Sequence, residues 1–413
     1  MPLIPLSEAR SLVLAACPRL PAVSMPVLQA VGFVLAEDAM ARVAVPPFPN
    51  SAMDGYAVRA ADVALPPAAL QVVGRLLAGS AEKLGMGRGQ AVRIMTGAPV
   101  PAGADAVCMI ERTRTEGDRV VIESSVSPGE NIRETGDDIG TGSTVAGAGT
   151  LIGPTQLAAL ISAGCGEVRV FPRPRVGVVS TGDELVDTGQ SLGEGQIYDS
   201  NRPMVAALAR EAGCSVVDLG HAPDDEEAIT AIIDEALGDI DALVLSGGVS
   251  VGDVDLVRVV LEKLGGGSGR SLTIAIRPAK PFAFAQLDRR VPAFGLPGNP
   301  VSAAVSFELL VRPALLAMAG HRRVDRPVVA ARAMVPMRRK QDGKIHFVRV
   351  ALGRDDGGWT IRPASGQGSH QIGSMARADG LAVLPDGEGA EEGDAVKVMV
   401  VNQDRLGEEL LSW

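Results

Sequence analysis

Ala242-Leu243-Val244-Leu245-Ser246-Gly247-Gly248-Val249-Ser250-Val251-Gly252-Asp253-Val254-Asp255 begins as an uncharged, branched run and ends in small residues and two carboxylates. Ala242 to Leu245 has the composition of a strand covered on both faces, as in a parallel sheet between helices. Gly247, Gly248 and Gly252 let backbone approach a ligand and take φ values that other residues resist. Ser246 and Ser250 add hydroxyls, and successive turn amides can form an anion-binding nest. Asp253 and Asp255 would repel a phosphate unless a cation sits between them, which points to a phosphorylated ligand with a divalent metal. A glycine-rich turn with an aspartate near the next helix start accounts for the same letters without a ligand.

The flanking sequence repeats this alternation of strand and helix. Arg175 to Ser180 reads as a buried strand running into Thr181-Gly182-Asp183-Glu184-Leu185, and Asn201-Arg202-Pro203-Met204 opens an Ala/Leu-rich helix through Arg210. Ser215 to Leu219 reads as the next strand and Asp224 to Leu237 as a helix with acids near its start. The pattern predicts a three-layer α/β domain with a parallel sheet between helices. Strand exits share one rim of such a sheet, so Asp183/Glu184, Asp224/Asp225 and Asp253/Asp255 are expected to converge there. Further on, Ile274-Ala275-Ile276-Arg277-Pro278-Ala279-Lys280-Pro281 brings two cations out of an apolar strand, and Gly295-Leu296-Pro297-Gly298-Asn299-Pro300-Val301-Ser302 leads into a helix to about residue 316. Arg277 and Lys280 can neutralise phosphate or a small oxyanion beside backbone amides at a helix start. They also read as solvated cations at a domain edge.

Residues 5 to 16 and about 25 to 40 have helix-compatible apolar spacing, interrupted by Pro18 and Pro21 and followed by Pro46, Pro47 and Pro49. In Asn50-Ser51-Ala52-Met53-Asp54-Gly55-Tyr56, Asp54 serves either as a ligand or cation contact or as a turn cap. Short apolar runs between Gly and Pro from Leu70 to Ile110 predict a β-rich region. One of its strands delivers Thr96-Gly97-Ala98-Pro99, where Thr96 is either an anion donor or a structural turn residue. Glu130 to Ile139 sets Arg133, Asp137 and Asp138 around glycine, as a ligand contact or a solvated loop. The β-rich insert closes near Gly149, and Pro154 to Ala163 again reads as helix. After the Arg-rich boundary Ala319 to Pro327, the runs Val328 to Val335, Lys344 to Leu352, Trp359 to Pro363 and Ala395 to Val401 predict a small β domain. Its loop Pro363 to His370 offers Ser369 and His370 to a substrate or a partner subunit.

With 413 residues the chain has room for two to four domains. A net charge of −10 disfavours coating of nucleic acid or an anionic membrane, so cations for a phosphate must be gathered locally. No run reaches membrane-spanning length and no signal peptide is expected. Cys17, Cys108, Cys165 and Cys214 form no CxxC pattern, which fits buried thiols in a reducing compartment. His221, His321, His346 and His370 are too scattered for a multi-histidine metal cage.

Asn50 to Tyr56, Met95-Thr96-Gly97-Ala98, Ser180 to Leu185, Ser246 to Gly252 and Gly295 to Pro300, in that order and over nearly the whole chain, resemble the molybdopterin molybdenumtransferases. This MoeA-like family includes the C-terminal enzymatic domain of gephyrin. The resemblance implies an α/β and β multidomain fold. Its parts would be a discontinuous N-terminal helical region (1–45 and 146–172), an inserted β-rich domain (46–145), a central three-layer α/β molybdopterin-binding domain (173–320) and a C-terminal β-barrel-like domain (321–413). It implies insertion of molybdate into adenylylated molybdopterin with release of AMP, a Mg²⁺ ion, a cytoplasmic location and a homodimer whose cleft uses both subunits. Transient contact with molybdopterin adenylyltransferase and molybdoenzyme-maturation proteins is also expected, and no nucleic acid or membrane.

By the same resemblance, Asp54, Thr96, Asp138, Glu184, Asp255 and Lys280 are the expected catalytic residues. Asp224, Asp255 and Glu184, with help from Asp253, are the expected metal ligands. Ser246, Gly247, Gly248, Ser250, Arg277, Pro297, Gly298, Pro300 and Ser369 are the expected substrate-binding residues. Arg277-Pro278-Ala279-Lys280 stands where related sequences often have Lys-Pro-Gly-Lys, and a planar guanidinium does not reproduce a lysine contact. Two rival activities are a molybdopterin adenylyltransferase, which would consume ATP, and a non-catalytic pterin-binding scaffold, which would release no AMP.

Overall fold

A computed structural model of the chain describes residues 3–248, 256–288 and 290–402. The chain divides into two compact units, Val23–Val170 and, together, Met1–Ala22 with Phe171–Trp413.

In the second of these, Ala242–Ser246 is buried at every residue, as its lack of charge demands, and lies inside a seven-stranded sheet. The sheet order is Leu3–Ile4, Arg270–Ile274, Pro281–Leu287, Val291–Leu296, Ala242–Ser246, Arg175–Thr181, Ser215–Ala222. The last four strands run parallel, with Ser180 beside Ser246 and Ser246 beside Leu296, so their carboxyl ends share one rim. The parallel sheet expected between the helices is there, and the strand Pro281–Leu287 extends it antiparallel to both its neighbours. Too few residues separate Leu287 from Val291 for a crossover, so the chain can only turn back as a hairpin.

Helices Asn201–Glu211, Glu226–Ala236 and Leu256–Leu264 cover the sheet, burying Val205, Ile229, Ile233, Val257 and Val260 in two cores. Leu6–Ala15 is the helix its spacing predicts, and it buries Ala9 and Val13 in the first of those cores. The segment Pro300–Met318 is long and apolar enough to cross a membrane by length and composition, yet 89% of it is buried inside the protein. All four cysteines are free and buried.

The C-terminal strands close into a barrel. Val328–Ala333, Gly358–Pro363, Ile345–Asp355, Gly380–Leu384 and Ala395–Val400 each pair with the next, and the last returns to the first. Val350, Ile361, Ala382 and Val398 fill its interior. Gly380–Leu384, which closes the ring, was not among the strands expected. Ile276–Arg277 pairs in parallel with Ile345–His346, tying a loop of the α/β part to the barrel.

Val23–Val170 holds a six-stranded sheet in the order Thr113–Glu116, Arg119–Ile122, Ala68–Leu76, Gln90–Ile94, Gly55–Val58, Ala106–Met109. Its helix Pro154–Ser162 packs Leu160 into a separate core with Val27, Leu35, Val168 and Val170. The helix expected over residues 25 to 40 is absent. That stretch holds a single 3₁₀ turn, Val27–Gln29, and the short strands Val34–Leu35 and Ala39–Met40. Pro26 and Gly32, the latter at φ +82°, interrupt a helix, while strand pairing uses the same apolar residues.

Candidate active site

The rim of the parallel strands is built for close backbone approach. Gly247 has φ +114°, and a Cβ there would lie 2.3 Å from the Thr181 carbonyl oxygen, so only glycine fits. Its N–H donates to Leu296 O at 3.3 Å, and Gly298 lies against its Cα. Asn201 Nδ2 donates to Gly298 O at 2.7 Å, fixing the Pro297–Gly298 turn to the start of a helix. Thr181 Oγ1, Ser246 Oγ and Asn201 Oδ1 are buried without a hydrogen-bond partner among the described residues. Such oxygens around one glycine turn are available to a ligand, a cation or a neighbouring segment of chain.

Two of the acidic exits meet on this rim. Asp183 accepts the Asp224 N–H at 3.0 Å, and the His221 ring pairs through Nε2 with Gly182 O at 2.6 Å. Burial, then the charges of Asp183 and Glu184, push the Asp224 carboxyl above its ordinary value. Ser250, Asp253 and Asp255 lie outside the described residues. Among the described residues no group of three or more His, Cys, Asp or Glu is arranged to hold a metal ion. Carboxylate and hydroxyl oxygens are the chemical type of ligand that Mg²⁺ takes.

Next to the rim, Arg277, Lys280, Pro297, Gly298 and Ser369 line one cavity of about 960 Å³, between the α/β part and the barrel. The sequence places these residues on three remote segments, and the fold brings them together. The barrel adds Arg338, Arg339, Lys340 and Lys344, leaving Asp342 as the one carboxylate lining it among the described residues. Ser369 O accepts the Val301 N–H at 3.1 Å, which docks the loop on the helix that begins at Pro300. Ala279, buried between the two cations, has φ +76°, a conformation that glycine takes without strain. Glu184 and Asp224 do not line this cavity.

In the unit Val23–Val170, Asp54 Oδ1 accepts both the N–H and the Oγ1 hydroxyl of Thr96 at 2.7 Å. These two bonds, with weaker help from Arg93, hold its carboxyl below the usual range. Ser51 exchanges backbone bonds with Gly97 and Ala98, and Ala52 N donates to Asn131 O, so the three polar loops form one cluster. Asp138 is exposed, donates its N–H to Val45 O at 3.0 Å, and shares no hydrogen bond with Asp54 or Thr96.

Sequence reasoning missed Thr181, Asn201 and Asp342 as site residues. Asn201 was visible only as a helix start, because its partner Gly298 is 97 positions away. Asp342 sits in a polar stretch whose cations gave no spacing signal.

Fold and site together define a class: an α/β protein whose strand-end rim lies beside a cation-lined cavity shared with a small β barrel. Residues 4–164 match the MoeA N-terminal region (domain I and II), 177–317 a probable molybdopterin binding domain, and 330–401 the MoeA C-terminal region (domain IV). The molybdopterin molybdenumtransferase of Haemophilus influenzae is 37% identical over 377 residues, 91% of this chain and 92% of that protein. Molybdopterin molybdenumtransferase 2 of Mycobacterium tuberculosis is 39% identical over 375 residues, 88% and 91% of the two chains. The crystal structure of the molybdopterin biosynthesis MoeA protein from Pyrococcus horikosii superposes with a TM-score of 0.83 at 33% identity, covering 97% of this chain and 99% of that one. The chain belongs to the MoeA family of molybdopterin molybdenumtransferases.

Proposed function

We propose that this chain inserts molybdate into adenylylated molybdopterin with release of AMP, as a step in making molybdenum cofactor. The observation that carries this reading is the convergence of Arg277, Lys280, Pro297–Gly298 and Ser369 on one cavity abutting the Gly247 turn. An adenylyltransferase or a pterin scaffold built on the α/β domain alone has no use for a barrel region that supplies four of the six Arg and Lys side chains lining the cavity among the described residues.

Arg277 and Lys280 attract the dianionic substrate and offset its repulsion by the phosphate of the pterin adenylate. The Gly247 and Pro297–Gly298 turns hold the phosphorylated ligand against backbone, with the Thr181 and Ser246 hydroxyls within the same rim. As the bond to adenylate breaks, negative charge grows on the departing phosphate, and Lys280 is placed to stabilise it. Asp54, Thr96 and Asp138 are assigned to positioning the pterin rather than to a covalent intermediate. Glu184, Asp224 and Asp255 would hold Mg²⁺, which supplies Lewis-acid neutralisation of phosphate charge when bound. A cytoplasmic homodimer with the four-region division given above, and transient handover to adenylyltransferase and maturation partners, belong to the same proposal.

Lys280→Ala tests it. The variant is expected to raise the KM for molybdate by about ten- to a hundredfold, the worth of one charge-assisted contact, with the fold intact. An unchanged dependence on molybdate would reduce Lys280 to a surface cation.

A further inference from the structure

Two histidines that the reaction above leaves unused line the cavity, His346 and His370, and His346 is the buried one. His346 lines the cavity with only 11% of its side chain exposed. It stands in register beside Arg277 on the neighbouring parallel strand, so the two side chains share a face. Its Nε2 lies 3.2 Å from both oxygens of Asp342. The same carboxylate binds Lys344 Nζ at 3.0 Å and Arg339 Nη2 at 2.7 Å. Against the desolvation that raises it, hydrogen bonds from Lys344 and the His346 ring hold the Asp342 carboxyl well below the usual range, at about 2. An ionised carboxylate only accepts, so the hydrogen on the neutral ring sits on Nε2, and Nδ1 carries a lone pair. Nδ1 has no hydrogen-bond partner among the described residues. A lone pair repels an oxyanion, whereas a protonated Nδ1 donates to it.

We propose that His346 is a further anion-binding residue of this cavity, presented by Asp342 as a positioning residue, and that its ring is protonated from solvent as the oxyanion enters. The inference rests on the oxyanion-binding reading of the cavity. The charged groups facing the ring are Asp342, Arg339 and Lys344 from its own approach loop and Arg277 from the adjoining strand; Leu384, its partner on the other side, carries none. Burial first, then Arg339 and Arg277, favour the neutral ring, and Asp342 opposes them, so the empty cavity holds an uncharged His346 at neutral pH. An arriving dianion adds the negative charge that tips the balance, and affinity should therefore rise as pH falls.

Isothermal titration of the full chain with molybdate alone, and with tungstate in parallel, in buffers of different ionisation enthalpy counts the protons taken up. A fraction of a proton per anion is expected near about pH 6, declining toward zero by about pH 8. His346→Gln should abolish that uptake and weaken binding at the lower pH by about tenfold, while Arg277 and Lys280 keep residual binding. Subtracting the variant also removes any proton that the anion itself carries. Asp342→Asn, which leaves the ring in place, should shift the uptake to lower pH. Asp355→Asn removes a barrel carboxylate that pairs with Arg332 and does not line the cavity, and should leave the uptake unchanged. Binding without proton uptake, undiminished uptake in His346→Gln, or an Asp355→Asn variant that behaves like Asp342→Asn would overturn the proposal and leave the cavity's anion role standing. Failure of either oxyanion to bind at any pH would overturn both.

Discussion

Gly247 is where a single methyl group has the largest reach. Its Cβ would strike the Thr181 carbonyl, a backbone atom that cannot swing aside, and φ +114° strains any side chain independently. Gly247→Ala is expected to cost about 1–3 kcal/mol of stability, read as a lower midpoint in denaturant, because both the strain and the clash must be relieved. Asp224 carries the opposite expectation. A carboxyl raised in the folded state means that the fold holds the proton more tightly than the unfolded chain, so stability falls as pH rises through the raised value. Without metal at pH 7, Asp224→Asn should therefore raise Tm by about 1 °C, discounted for its exposure, and the gain should vanish below about pH 4. Added Mg²⁺ should stabilise the wild type more than the variant; equal responses would remove Asp224 from the metal site. Gly247, Arg277, Lys280 and Pro297 stood out because each sits in a local pattern that suggests its chemistry, whereas Ser369, in a polar loop open to several readings, became an expected binding residue only through the family resemblance. Thr181, Asn201 and Asp342 did not stand out, since a hydroxyl, an amide or an acid in a polar stretch acquires its role only from partners far away in sequence.

Among the elements, the segment Pro300–Met318 shows how burial and charge are reconciled. Its middle turn, Phe307–Val311, is a π-helix that buries Glu308 at 2% side-chain exposure. Arg326, equally buried, meets both Glu308 oxygens at 2.7 and 2.9 Å and reaches Glu211 at 2.6 Å. The widened turn also presents the Leu309 carbonyl to Arg10 Nη1 at 2.8 Å. Removing one partner strands a charge away from water, so Arg326→Ala should cost about 3–5 kcal/mol in chemical denaturation. Glu308→Leu with Arg326→Met should recover most of that loss, since well-packed apolar replacements dispense with the desolvation cost; a double variant as unstable as the single would contradict this. Long periodic elements were legible here, the Leu6–Ala15 and Pro154–Ser162 helices among them. The stretch 25 to 40 misled because its apolar spacing suits both a helix and short paired strands, and only tertiary pairing with Glu167–Phe171 decides. Gly380–Leu384 escaped notice because its two opposite neighbours in the barrel bury it regardless of alternation.

On the scale of the whole molecule, the sequence of glycine turns along the chain indicated a multidomain α/β protein with a terminal β region, and the fold agrees. What the chain order could not reveal is that Leu3–Ile4 and the first helix join the α/β part, or that one cavity would be walled by both that part and the barrel. Such closures depend on three-dimensional register, for which a linear pattern carries no signal. The shared wall is also what makes the cavity suited to an anion in a protein whose net charge is −10. The decisive measurement supplies the chain with adenylylated molybdopterin, molybdate and Mg²⁺, and counts AMP released against molybdenum bound to the pterin in the same sample. Equal amounts of the two, both falling together in Lys280→Ala, are predicted. AMP appearing at the same rate with molybdate omitted, or pterin left free of molybdenum, would contradict the assignment.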